Sequence, residues 1–201
     1  NSALNRVLDE AELNGWTVKS LRPTLLNKGV KTQSRGNFSV EEYRTIYIAL
    51  RSFHKQTPNE KSAATRETLR NYVLFLANTG IRHGTEALGL RWRNIEWYLR
   101  EGERYLAVSV DGKTNKRTAI ARDSVVDFLW RQAQLNSRIT AGDFDGLISS
   151  KSDEPVFVTR LGAVVTVHNL NRAFNALLDE LDLKTGADGR TRTLYSWRHF
   201  Y

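Results

Sequence analysis

The chain has 201 residues, 40% of them apolar and 26% charged, with no cysteine and no methionine. That balance is too apolar for a disordered chain, no apolar run approaches the roughly 20 residues a crossing helix needs, and the missing cysteines exclude a disulfide scaffold or a Cys-ligated zinc. The formal charge is +8, and 21 of the 30 basic residues are arginine, whose planar fork suits phosphate oxygens, so composition points toward nucleic acid as partner.

The first residues, NSALNRVLDEAEL, place Leu4, Val7, Leu8, Ala11 and Leu13 on one helical stripe and lack the apolar core of a signal peptide. A reducing compartment is the default without cysteines. With no methionine at position 1, the chain is expected to be an excised fragment. Residues 17–37 are polar and basic, carry Pro23, Gly29 and Gly36 and show no sustained period, which reads as a linker.

A compact domain is expected from residue 38. Ser39 and Glu42 stand at capping-box spacing, and Tyr43, Ile46, Tyr47, Leu50 and Phe53 trace one helical face. A second helix runs from about Thr65 through Leu69, Tyr72, Val73, Leu76 and Ala77 to a stop at Gly80, and a short helix follows within HGTEALGLRW. YLAVSV (105–110) and RTAIA (117–121) alternate like strands joined by the turn-rich DGKTNK. Residues 124–135 are helical, PVFVT (155–159) reads as a short strand, and a helix from His168 carries Leu170, Ala173, Phe174, Leu177, Leu178 and Leu181. TRTLYSWRHFY closes the chain as a helical stretch. Helices, then a small antiparallel sheet, then helices describe an α+β, mostly α domain with the sheet on one edge.

Three basic positions stand out, each with an ordinary reading beside the functional one. Arg82 follows the helix-ending Gly80 in a tight turn, either aimed at a ligand or capping the preceding carbonyls. Lys113 lies in VDGKTNKRTAI, where Gly-Lys-Thr lacks the earlier P-loop glycine because position 107 is alanine; a nucleoside triphosphate site is excluded, and Lys113 is left as a hairpin ammonium or a solvated lysine. Tyr195, Arg198 and His199 share one face of the last stretch, which is either a site or the wet side of an amphipathic helix.

Taken in order, TGIRHGTEALGLRW, GKTNKRTAI and TLYSWRHFY resemble the tyrosine recombinase (phage integrase) family, whose catalytic domain carries T-G-(L/I/M)-R-x-x-E-x-x-x-L, a hairpin lysine and H/K/Y-x-x-R-H. FSVEEYRTIYIAL is similar to that family's first catalytic-domain helix, and LNRVLDEAELNGW to the last helix of its DNA-clamping domain. The resemblance implies three segments: 1–16 as the last helix of an otherwise missing clamp domain, 17–37 as a basic linker, and 38–201 as a C-terminally truncated catalytic domain. The implied activity is strand cutting and rejoining through a 3′-phosphotyrosyl bond, without metal or other cofactor, on double-stranded DNA at specific recombination sites. Intact members work as tetramers on DNA, and the fragment would be monomeric and inactive alone. A cytoplasmic, bacterial or phage-encoded protein of a mobile element is the expected setting.

By the same resemblance Arg82 and Arg198 would grip the non-bridging oxygens, and Lys113, with Lys116 as fallback, would protonate the leaving 5′-oxygen. Tyr195 stands where histidine is commoner. A phenol with a pKa of ~10 is a poor general base, so Tyr195 would position the phosphate. Glu86 would anchor Arg82 or a neighbouring helix, and His199 would buttress Arg198 or the sheet. The nucleophilic tyrosine would lie beyond the chain end, since Tyr201 is about one turn from Arg198 on a side expected to be packed. The alternative is a non-catalytic DNA-binding module on the same fold; a type IB topoisomerase uses similar residues but lacks the clamp helix. His54, His83, His168 and His199 have no H-x-x-x-H spacing, no carboxylate cluster would hold Mg²⁺, and no nucleophile elbow occurs.

Overall fold

The computed structural model describes residues 2–19, 23, 36–112 and 115–201. The chain divides into two compact units, 1–33 and 34–201. The expected linker lies largely outside the described residues, and Lys113 lies wholly outside them.

The first unit contains α1 (Ser2–Leu13). The Asn14 side chain donates back to the Glu10 carbonyl at 2.8 Å and the Trp16 amide to Ala11, closing the helix end. Leu4, Val7, Leu13 and Trp16 are all exposed.

The second unit opens with α2 (Val40–Leu50), whose start is held by the expected capping box. The Ser39 hydroxyl accepts the Glu42 amide at 3.2 Å, and the Ser39 amide donates to Glu42 Oε2 at 2.7 Å. Such reciprocal bonds satisfy two amides that a helix start otherwise leaves unmade. Next comes α3 (Glu60–Ala77), five residues longer at its start than the apolar stripe suggests because Asn59 caps it, accepting the Ser62 amide at 2.9 Å. Its second half, Leu69 and Tyr72 through Ala77, is fully buried, and α2, α5 (Val125–Ala133), α7 (Val167–Glu180) and the terminal turn all pack on it. Leu170, Phe174, Leu177 and Leu178 form the buried face of α7.

Between these helices stand α4 (Thr85–Leu88) and a three-stranded antiparallel sheet in the order β1 (Ile95–Arg100), β2 (Glu103–Asp111), β3 (Lys116–Ile120). The expected hairpin is β2–β3, with Val110 opposite Arg117 and Val108 opposite Ala119. β1 was not anticipated: only Ile95 of its six residues is buried, so its sequence shows no two-residue alternation. Another unanticipated element, α6 (Phe144–Ser149), is tied to the sheet through Asp145, which accepts Trp97 Nε1 at 2.7 Å and Arg104 Nη1 at 3.0 Å.

Residues 155–159 depart from the sequence reading. They form isolated bridges, Arg91 to Pro155 and Val158 to Val164, rather than a strand. Pro155 has no N–H to give a ladder, and the apolar residues serve instead as a plug. Phe157 meets Tyr72 and Phe75 edge-on, and Gln132 Nε2 donates to the Val158 carbonyl at 2.7 Å.

The last element, Leu194–His199, is a 3-10 helix rather than an α-helix. Ahead of it, Arg192 is buried and donates to Glu42 at 2.7 Å, to the Asn37 carbonyl and to the Leu183 carbonyl, joining the end of the unit to its beginning. Trp197, fully buried, stacks on Phe38 at 4.2 Å and meets Tyr43, Phe174 and Phe200. Replacing Trp197 by Ala is expected to cost about 3–5 kcal/mol, read as a lower urea midpoint at unchanged slope.

Candidate active site

The site begins where α3 ends. Gly80 has φ +62°, and a Cβ there would sit 2.8 Å from the Tyr201 ring, so both the turn and the close packing select glycine. The chain then turns at Ile81, which is buried, and presents Arg82. Arg82 and Glu86 stand four residues apart, with the turn at His83 and Gly84 between them. Buried Tyr72 fixes that turn: its hydroxyl lies 2.8 Å from His83 Nδ1 and accepts the Gly84 amide at 3.3 Å, and burial pushes its pKa up.

Glu86 is the centre of the arrangement. Its side chain is 2% exposed, yet it is held as a carboxylate by three donors. Oε1 accepts Arg82 Nη1 at 2.6 Å, while Oε2 accepts the Arg82 amide at 3.0 Å and Arg117 Nη2 at 2.8 Å. Burial pushes the Glu86 carboxyl up, but the Arg82 and Arg117 bonds together outweigh it and leave the pKa below the ordinary value of 4.5. The Arg82 guanidinium keeps 39% of its side-chain surface open and is held cationic chiefly by Glu86, with a further hydrogen bond to Tyr195.

The remaining expected site residues divide. Tyr195, half-buried, is brought to Arg82 from the terminal 3-10 helix. Arg198 follows one turn later beside the fixed Trp197; it is half-buried, and its Nη1 is shielded from solvent without a hydrogen-bond partner. His199 is exposed and sits edge-on to Tyr195 at 6.2 Å. Lys116 is 90% exposed, 3.7 Å from Asp111, and lies on the sheet face opposite Arg117. Tyr201 is half-exposed rather than packed away, and its hydroxyl donates to the Ile120 carbonyl at 2.7 Å.

Sequence reading missed Arg117. The signal was present: Arg117 and Ala119 alternate onto the face that β3 turns toward Val110 and Val108, so Arg117 is the inward basic residue of the hairpin. Missed also was a groove of about 610 Å³ between the start of α3 and α7, lined by Lys61, Arg66, Arg172, Asn59 and Asn169. Among the described residues no group of three or more His, Asp or Glu side chains is placed to hold a metal ion. No helix among them is long and apolar enough to cross a membrane.

Because the Glu86 pKa is depressed in the folded chain, its ionised form stabilises the fold fully above pH about 4.5, and that contribution is lost as pH falls through the lowered value. Glu86→Gln is expected to cost about 2 kcal/mol near neutral pH and to flatten the acid limb of a stability–pH profile measured by urea unfolding.

Neither a family model nor a curated protein sequence matches this chain. Solved structures similar in three dimensions include two integrases. The Tn1549 transposon integrase in complex with a circular intermediate DNA superposes with a TM-score of 0.60 at 13% identity, over 99% of this chain and 62% of that one. A lambda integrase tetramer bound to a Holliday junction gives 0.53 at 15% identity, over 99% of this chain and 50% of that one. The chain thus spans about three-fifths of the first integrase and half of the second. What it shares with both is the fold, which in this chain is mostly helical α+β with, among the described residues, one small antiparallel sheet.

Proposed function

We propose that this chain is part of a tyrosine-type site-specific recombinase, in which residues 38–201 belong to the catalytic domain and residues 1–16 to a DNA-clamping domain. The observation that carries the reading is the Arg82 guanidinium, braced from behind by a buried carboxylate and open in front, with Tyr195 beside it and Arg198 one turn further on. Rigid cations of this kind suit a phosphodiester whose non-bridging oxygens gain charge as phosphorus becomes five-coordinate. Bidentate arginine holds both contacts through that change.

In the proposed reaction a tyrosine hydroxyl gives its proton to solvent and forms a bond to phosphorus, the P–O5′ bond breaks, and the 5′-oxygen leaves with a proton. Arg82 and Arg198 meet the oxyanions, Tyr195 orients the phosphate, and Lys113 of the hairpin supplies the proton. Lys116 faces the other side of the sheet and pairs with Asp111, which favours Lys113 for that role. The Tyr201 hydroxyl, engaged with the Ile120 carbonyl, does not serve as nucleophile. Both integrases similar in fold were solved with DNA, one as a tetramer, and we extend double-stranded DNA and tetrameric assembly to the full-length protein.

The groove between α3 and α7 supports a second reading, a DNA-binding module without chemistry, because Lys61, Arg66 and Arg172 line it independently of the Arg82 group. A nicked suicide substrate separates the two. In the full-length protein, Arg82→Ala or Arg198→Ala is expected to reduce covalent protein–DNA adduct by about 10²–10³-fold with binding changed little; tight binding with no adduct from the unaltered protein would leave only the module. DNA affinity of the chain itself should fall with salt by about 0.9 log units per log unit for each phosphate neutralised, and Lys61→Ala or Arg172→Ala should each lower that slope by about one.

A further inference from the structure

We propose that Arg117 is a positioning residue of the phosphate site: by locking onto Glu86 and the Gly80 carbonyl, it holds the β2–β3 hairpin and the Arg82 turn in one register, so that both meet a phosphate as a single unit. This rests on the recombinase reading and names a residue which that reading does not contain.

Arg117 stands at the start of β3, opposite Val110, on the inward face of the hairpin. Its Nη2 donates to Glu86 Oε2 at 2.8 Å and reaches the Gly80 carbonyl at 3.5 Å, while its Nε is shielded from solvent. Arg117 is therefore bound to both sides of the turn that presents Arg82: to Gly80, three residues past the end of α3, and to the carboxylate that holds the Arg82 amide and Nη1. The other hairpin arm closes in from β2. A Cβ built on Gly112 would lie 2.7 Å from the Asn115 carbonyl, so the hairpin turn itself selects glycine there, and it would lie in ordinary contact with Glu86 Oε1 at 3.5 Å and Arg82 Nη1 at 3.9 Å, which places this end of the hairpin beside the pair. On the opposite face Lys116 and Asp111 bridge the strands at the same level. The hairpin is thus tied to the Glu86 carboxylate by Arg117 of β3 and passes close to it at Gly112, just beyond β2.

Sharing also sets charge. One carboxylate faces two guanidiniums, so Arg82 is not neutralised by its brace and retains attraction for an anion in front of it. Without Arg117, Glu86 would belong to Arg82 alone, and the hairpin would lose its only ion pair to the turn among the described residues. Affinity for DNA, spread over many phosphates, would hardly notice, whereas the alignment needed as charge develops on one phosphate would suffer.

The test uses the full-length protein on a nicked suicide substrate in single-turnover mode. Arg117→Met is expected to slow adduct formation about 30-fold with DNA affinity unchanged within about 2-fold, and Arg117→Lys, which keeps one donor for Glu86, to recover most of the rate. A substrate with a neutral methylphosphonate at the scissile position asks less of Arg82, so the Arg117→Met penalty should shrink on it in parallel with that of Arg82→Ala. A general packing role would leave the penalty equal on both substrates and overturn the proposal, as would full activity of Arg117→Met beside an inactive Arg82→Ala. Should Arg117→Met fail to fold, Arg117→Gln, which removes the charge but keeps a polar side chain, gives the same comparison on the two substrates. Full activity of Arg82→Ala would instead remove the recombinase reading itself.

Discussion

Burying a carboxylate is costly unless it is matched by donors, and Glu86 is matched by groups from two separate places in the sequence. That requirement does more than anchor one side chain. It pins the turn after α3, brings β3 against that turn, and orients the Arg82 guanidinium outward. The site depends on this carboxylate being ionised and shared, because an unpaired arginine at the same turn would be a mobile surface cation.

The surrounding core explains why the turn stays in place. The buried second half of α3 leaves the helix no freedom to slide, and Tyr72 extends from it to hold the loop at His83 and Gly84. From the other side Trp197, clamped among Phe38, Tyr43, Phe174 and Phe200, fixes the 3-10 helix that carries Tyr195 and Arg198. Apolar packing thus sets positions and the polar network sets directions. The two are made by different residues, so substitutions can disturb one without the other.

Local chemistry was legible in the sequence where local chemistry decides the structure. The Ser39–Glu42 box, the α7 stripe and the β2–β3 hairpin were all readable, since each is an interaction between near neighbours in the chain. β1 and the 155–159 plug were not readable, because their state depends on what lies over them: five of six β1 residues escape burial, and PVFVT is apolar without a partner strand. The site followed the same division. Arg82 meets Glu86 and Tyr195, while Lys116 pairs with Asp111 on the other face of the sheet. Arg117 was overlooked because its importance arises from a cross-strand register and a contact 31 residues away.

The Arg192–Glu42 pair carries a lesson about assembly. Its partners are 150 residues apart, and Glu42 is also the carboxylate that completes the cap of α2. During synthesis, α2 leaves the ribosome long before the guanidinium that will neutralise its cap exists. Closing so long a loop is slow and comes late. The middle of the unit is therefore expected to condense before its two extremities are fastened to each other.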